Sequence, residues 1–109
     1  MAYDERLAER VREVLGRKRS VREQKMFGRL CFMLNGNMCC GIVGDELMVR
    51  VGPEAHEDSL ARPHARPMDF TGRPMRGMVY VAVPGLKTKR SLTQWVDRGV
   101  AFAASLPAK

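Results

Sequence analysis

The sequence predicts a two-layer α+β fold, in which helices pack on one face of an antiparallel sheet in the order α-β-β-β-α-β-β-α. The middle of the chain carries three short apolar runs, at residues 30–34, 38–43 and 47–51, with Asn35-Gly36 and Gly44-Asp45 in the gaps between them. Such pairs are typical of tight hairpin turns. Toward both ends of the chain, apolar residues instead recur every three to four positions, which indicates helices that cover the sheet.

The first helix is predicted from Asp4, which suits the N-cap, to Gly16, which suits the C-terminal end. Leu7 and Val11 begin an apolar stripe along this segment, and charged residues occupy its other side. The basic run that follows, residues 17–22, could contact phosphates, and it is interpreted as a solvent-exposed connector into the sheet. No strand is predicted before the first apolar run.

The first hairpin has a register that the turn sets. A two-residue loop at Asn35-Gly36 pairs Leu34 with Asn37, and counting outward then places Cys31 opposite Cys40. A slip of one residue would destroy this pairing of thiols, and the Asn after the glycine allows such a slip.

The segment after the hairpins is predicted to form a short helix from Pro53 to about Arg62, because proline suits the first helical position. The proline-rich residues 62–67 are predicted to form a surface loop. Two strands follow, at residues 68–70 and 77–83. The second is apolar on both faces, which suggests a central strand or an interface.

The last helix, predicted at residues 88–106, has the clearest helical periodicity in the chain. Gly99 lies on its apolar stripe and predicts a close approach of helix to sheet. Large aromatic side chains dominate small cores. The predicted core therefore contains Trp95, Phe102, Leu7 and Val11.

The composition fits one domain, residues 1–109, with a formal net charge of +7 from 19 Lys and Arg against 12 Asp and Glu. Such a charge attracts nucleic acid, an anionic membrane surface or an acidic protein, or it serves solubility alone. The chain starts with charged residues, and no apolar run approaches the ~20 residues that cross a bilayer. We therefore expect a cytoplasmic protein with no membrane span.

Neither a metal site, a cofactor nor a catalytic centre is predicted. The soft ligands in the chain are Cys31, Cys39, Cys40, His56 and His64. Cys39 and Cys40 are adjacent in a strand, so their side chains are expected on opposite faces and cannot easily share an ion. No flanking signature pairs a cysteine with a base, and buried cysteines are usually inert.

An arginine set is the remaining candidate site. It consists of Arg62, Arg66, Arg73 and Arg76, which fall within fifteen residues that contain one acid, Asp69. Guanidinium groups bind phosphates and carboxylates well, so this set could form an anion or partner surface. The alternative is that these arginines pair with carboxylates of the first helix.

Several motifs in order resemble the N-terminal domain of the TfoX/Sxy family of bacterial competence regulators. They are Lys25-Met26-Phe27-Gly28 before the apolar run and the Asn-Gly turn, Met68-Asp69-Phe70, the strand from Arg76 to Val81, and the last helix with Trp95. Arg29 occupies the position at which the family commonly has a second glycine. The sequence stops at Lys109, before the helical C-terminal domain of the full-length regulators.

The resemblance implies a two-layer α+β fold and an association with transcriptional regulation, and it implies no catalytic residues. Our leading hypothesis is a non-enzymatic regulatory or protein-interaction module, with an unidentified protein partner. The alternative is a nucleic-acid-binding module that uses the arginine-rich surface. An exposed sheet edge would also allow a homodimer.

Overall fold

The computed structural model describes residues 3–16, 21–26, 29–70 and 73–107. For residues 26, 68–70 and 73–76 it describes the backbone alone. The elements in chain order are α1 (Glu5–Leu15), β1 (Val21–Met26), β2 (Arg29–Leu34), β3 (Asn37–Val43), β4 (Glu46–Arg50), α2 (His56–Leu60), β5 (Ala65–Phe70), β6 (Arg73–Val81) and α3 (Lys89–Ser105). A 3-10 turn, Val83–Leu86, precedes α3. No helix of the described residues is long and apolar enough to span a bilayer.

The sheet has six antiparallel strands in the order β1-β2-β3-β4-β6-β5, and the predicted α+β class is confirmed. The structure adds one strand, β1, to the predicted element order. Its residues 22–25 are polar and exposed, so β1 lacks the alternation of apolar and polar residues from which a strand is predicted. Pairing with β2 makes this segment a strand.

The first helix forms as predicted. The Asp4 carboxylate accepts hydrogen bonds from the backbone N–H groups of Arg6 and Leu7, at 2.9 and 3.2 Å, and satisfies the first turn. The Asp4 N–H donates to the Gly44 carbonyl at 2.7 Å, which ties the start of α1 to the turn between β3 and β4.

The crossover differs from its prediction in three places. The short helix α2 begins at His56, so Pro53 precedes it and is not its first residue. The predicted loop at 62–67 is partly wrong, because Arg66 and Pro67 belong to β5. As β5 is an edge strand, a proline that donates no ladder hydrogen bond can be accommodated there. The last strand also starts earlier than predicted, at Arg73.

The first hairpin contains a β-bulge. Leu34 pairs with Asn37 as predicted, but the register shifts between Phe32 and Met33. Cys40 therefore lies opposite Phe32, and Cys31 lies opposite Gly41. The predicted pairing of Cys31 with Cys40 is wrong because β3 holds one extra residue beyond the turn.

The main core lies between the sheet and the helices. It includes Leu7 and Val11 of α1, Phe32, Ile42, Leu47, Val49, Val79 and Val81 of the sheet, and Leu92, Trp95 and Val96 of α3. The burial predicted for Trp95 is confirmed at 5 % exposure. Phe102, also predicted in the core, is only partly buried. Its ring lies over Gly52, beyond the end of β4, where an added Cβ would come within 2.4 Å of the ring.

Candidate functional site

The four predicted arginines do not form one described site. Arg66 of β5 makes a bidentate ion pair with Glu46 of β4, and its guanidinium carbon lies 4.5 Å from the centre of the Tyr80 ring. A strand carboxylate therefore compensates its charge, not a carboxylate of α1 as the alternative supposed. Arg62 is exposed after α2. The backbone of Arg73 and Arg76 belongs to β6, and their side chains lie outside the described part of the chain.

A second apolar cluster lies on the sheet face opposite the main core. Its buried members are Cys31, Met48, Met78 and Tyr80, and its partly buried members are Met33, Met38 and Val43. Opposed residues of an antiparallel pair share a face, so the registers define one row across the sheet. That row is Gln24, Cys31, Gly41, Met48, Tyr80 and Arg66. We call this side, which carries the second cluster, the open face.

The centre of the open face is already packed by its own side chains. The four buried members are 2 to 9 % exposed. Gly41 makes room for Met48, because a Cβ at Gly41 would lie 2.9 Å from the Met48 Cε and 2.9 Å from the Leu30 carbonyl oxygen. Arg66 stacks on Tyr80 at the far side of the row. The partly exposed apolar side chains lie on β2 and β3.

The rim of the open face is basic. Arg22 of β1 is exposed and lies opposite Met33. Arg50 of β4 lies opposite Met78, and its guanidinium reaches the Phe102 ring of α3 beyond the end of the strand. Arg29 shares the face with Cys31; burial raises the pKa of the Cys31 thiol, and the charge of Arg29 opposes this effect. Among the described strand residues of this face, Glu46 carries the one carboxylate, and Arg66 binds it. The rim is therefore positively charged overall.

Comparison with protein families identifies the domain to which this surface belongs. The model of the TfoX N-terminal domain matches residues 13–103. The chain belongs to the TfoX N-terminal domain family. The resemblance in the ordered motifs is thereby confirmed, although Phe27 and Gly28 of the opening motif lie outside the described residues. Searches of curated proteins and of solved structures found no match.

The match places the open face inside the TfoX N-terminal domain, since it runs from the last turn of α1 into α3. Sequence reasoning singled out arginines of the crossover and missed the methionines of the open face as a group. A signal was present in β6, where Met78 and Tyr80 gave the strand a second apolar side. Joining them to Met48 and Cys31 required the strand order and the bulge.

The cysteines of this TfoX N-terminal domain lie in the sheet interior. Cys39 and Cys40 are both in the main core with their sulfur atoms 3.9 Å apart, so the prediction that they point to opposite faces is wrong. The bulge brings them to the same side. The Cys39 thiol lies 3.3 Å from the Phe32 carbonyl oxygen and also forms a hydrogen bond with the Cys40 thiol. That hydrogen bond and burial raise the pKa of Cys40 well above its usual value. The same bond lowers the pKa of Cys39.

The two histidines have separate environments. His56 is buried, and its Nδ1 accepts a hydrogen bond of 2.9 Å from the Gly77 N–H, which makes it part of the packing between α2 and β6. His64 is exposed on the turn before β5. Within the described residues, no group of three or more His, Cys, Asp or Glu side chains is placed to hold a metal ion.

A groove of about 450 Å³ lies between the segment after β4 and the last turns of α3. Its lining includes Gly52, Glu54, Phe102 and Arg98. Arg98 donates to Asp58 at 3.2 Å and to the Ser59 Oγ at 3.0 Å, and its guanidinium carbon lies 5.5 Å from the centre of the Trp95 ring. These contacts use the charge of Arg98 to tie α3 to α2.

The sheet edges carry features that discourage strand pairing. Residues 22–25 of β1 are exposed and three of the four are charged, and β5 contains Pro67. Charged side chains and prolines are common means by which proteins protect edge strands. The edges are therefore poorer candidates for an interface than the open face.

Proposed function

We propose that this TfoX N-terminal domain is a non-enzymatic protein-interaction module with a regulatory role, and that the open face is its contact surface. The observation that carries the proposal is the composition of that face, which combines methionines, a tyrosine and arginines. Methionine, aromatic residues and arginine are enriched at protein interfaces, whereas lysine and carboxylates are depleted. Methionine side chains also adapt their shape to a partner.

The packing of the open face supports binding without a large rearrangement. Met48 and Tyr80 form a layer that is ordered before any partner arrives. Met33, Met38 and Val43 keep part of their apolar surface in solvent. A partner that covers them buries apolar surface, which stabilises the complex by about 25 cal/mol per Å². Because the centre of the face is already packed, binding loses little side-chain entropy there.

The placement of the reactive groups supports a non-enzymatic role. Cys39 and Cys40 have no exposed surface, and Cys31 is 2 % exposed. His56 is committed to the backbone of Gly77. A thiol nucleophile needs access to its substrate and a base within hydrogen-bond reach, and these positions favour a structural role for the three cysteines and for His56.

Nucleic-acid binding is less well supported as the main function. Arg66, one of the predicted phosphate ligands, is already bound by Glu46. Its guanidinium also lies over Tyr80, the aromatic side chain that could have stacked on a base. A net charge of +7 still gives a general attraction for polyanions.

Site-specific photo-crosslinking tests the proposal. A diazirine amino acid replaces Met38 on the open face or, as a control, Gln94, which is exposed on α3. We expect a discrete protein adduct in host cells from position 38 and none from position 94. The captured protein, once purified, should bind the unmodified chain and lose affinity for Arg22→Glu. Identical adducts from both positions, adducts with nucleic acid, or a turnover that mutation of Cys39, Cys40 or His64 abolishes would show the proposal to be wrong.

A further inference from the structure

We infer that the partner of the open face is an amphipathic helix whose apolar stripe is flanked by acidic residues. This inference rests on the proposed interaction function and adds the chemical class of the partner. It follows from the charge of the rim, the backbone pairing within the sheet and the dimensions of the apolar strip.

The charge of the rim favours a partner with negative charge. Arg22 is exposed, and the guanidinium carbon of Arg50 lies 5.2 Å from the centre of the Phe102 ring; in the described structure neither makes an ion pair with a carboxylate. The Arg66–Glu46 pair adds no net charge. A partner with carboxylates around its apolar stripe would complement this pattern, and complementary charge raises both specificity and association rate.

The sheet backbone favours a helical partner over an extended one. β2, β3, β4 and β6 each have strand neighbours on both sides, so their backbone groups are used within the sheet. An extended segment laid on the face would bury its own backbone groups without partners, whereas a helix satisfies them internally. The second cluster spans β2 to β6, three strand spacings or about 14 Å, which matches roughly ten helical residues. Its accessible apolar side chains lie on β2 and β3, and the packed side chains of β4 and β6 continue the surface beside them.

The same charges argue against a second copy of this chain as the occupant. Two open faces brought together would bring two positively charged rims into one interface, where Glu46, already bound by Arg66, is the one carboxylate among the described strand residues of each face. Like charges in an interface oppose association. A duplex would satisfy the arginines but would leave Met33 and Met38 against phosphates and sugars, so their apolar surface would contribute little.

Two synthetic peptides provide the probe. Both are helices of about 20 residues, long enough to be helical in isolation, with one leucine stripe. One carries glutamates beside the stripe and the other carries lysines. Fluorescence anisotropy of the labelled peptides measures affinity, and the methyl NMR signals of Met33, Met38, Met48 and Met78 locate the binding.

Two charge-reversal variants separate the site from the net charge. Arg22→Glu changes the rim, and Arg90→Glu makes the same change at an exposed position in the first turn of α3. Both positions are exposed, so both variants should keep the melting temperature of the parent. We expect the glutamate peptide to bind at least about tenfold more tightly than the lysine peptide at low salt. Arg22→Glu should weaken it about threefold or more, and Arg90→Glu less than about twofold.

The outcomes separate this inference from the function on which it rests. If both peptides perturb the open-face methyl signals with equal affinity, the acidic class of partner is wrong and the interaction surface stands. If neither peptide perturbs them, or if Arg90→Glu weakens binding as much as Arg22→Glu, the inference is overturned. A random duplex that binds more tightly than the glutamate peptide and shifts the same methyl signals would overturn the protein interaction itself.

Discussion

Gly99 allows α3 to approach the sheet at the β3 bulge. A Cβ at this position would lie 2.1 Å from the carbonyl oxygen of Cys39, a backbone atom that cannot rotate away. The glycine therefore sets the spacing of the two layers near Cys39 and Cys40. Its place on the apolar stripe indicated a close approach, but the sequence could not name the atom it meets, because that atom depends on the bulge.

Gly99→Ala should destabilise the protein. In a helix interior this change usually gains about 0.5–1 kcal/mol. Here the clash with a strand backbone should reverse the sign, at a net cost of about 1–3 kcal/mol. Chemical denaturation measures the difference, and Gln94→Ala, at an exposed position of the same helix, serves as the control. A stability equal to or above that of the parent would contradict the packing of α3 on β3.

The thiols should resist modification in the native state. Cys31, Cys39 and Cys40 are 0 to 2 % exposed, and the raised pKa of Cys31 and of Cys40 keeps those two thiols protonated at neutral pH. A chromogenic disulfide reagent should therefore react slowly with the folded protein and should titrate three thiols after denaturation. Rapid reaction of even one thiol without denaturant would be inconsistent with this burial.

At the scale of elements, helices and hairpins with strong local signals were predictable and polar strands were not. The start of α1 follows from its cap, Asp4, and the extent of α3 follows from its apolar periodicity. β1 was missed because its polar residues form a strand only through pairing with β2. Pro67 favoured the prediction of a loop, but β5 is an edge strand, where proline can be accommodated because its nitrogen need not donate a hydrogen bond to a neighbouring strand.

The helix α3 should depend more on its first half than on its last turns. Leu92 is 1 % exposed, whereas Phe102 is only partly buried. Leu92→Ala should cost about 2–5 kcal/mol, and Phe102→Ala clearly less than the 3–5 kcal/mol that is typical of a fully buried phenylalanine. Thermal or chemical unfolding of the two variants gives the comparison. A larger loss for Phe102→Ala would place the main anchor of α3 at the groove.

The Arg12–Glu23 pair links α1 to the edge strand β1. Arg12 donates to both Glu23 carboxylate oxygens, at 2.7 and 2.8 Å, and this hydrogen bonding lowers the pKa of Glu23. A depressed carboxyl pKa gives stability that is present above the unfolded-state pKa and is lost as the pH falls through the folded-state value. Because the pair is exposed, a double-mutant cycle with Arg12→Ala and Glu23→Ala should give less than about 1 kcal/mol, and less still at high salt. A coupling that persists at acidic pH would exclude this ion pair as its source.

At the scale of the whole molecule, the sequence predicted the fold class and could not predict the open face, which we propose as the contact surface. Helix and hairpin signals are local, so one chain segment reveals them. The open face is built from β1, β2, β3, β4, β6 and β5 together, and its members become neighbours only through the strand order and a one-residue bulge. The sequence pointed to the basic crossover because its four arginines fall within fifteen residues, whereas Glu46, the partner of Arg66, is twenty residues away in the chain.

Binding to random duplex DNA should be weak and largely independent of Arg66. Each lost phosphate contact lowers the slope of log affinity against log salt by about 0.9. Since Glu46 already binds Arg66, Arg66→Ala should leave the slope unchanged. Electrophoretic mobility shifts at several salt concentrations provide the slope. A decrease near 0.9 would return Arg66 to the nucleic-acid hypothesis.

The role of the open face can be observed directly through its methionine methyl groups. The chain has eight methionines, and Met33, Met38, Met48 and Met78 lie on this face, so methyl labelling of methionine, leucine and valine gives probes of both the open face and the main core. The measurement is the methyl NMR spectrum before and after addition of the protein captured by crosslinking at position 38. We predict that Met33 and Met38 shift or broaden most, while the methyl signals of Leu92 and Val96 in the main core stay in place. Unchanged Met33 and Met38 signals at saturating partner would contradict binding at the open face.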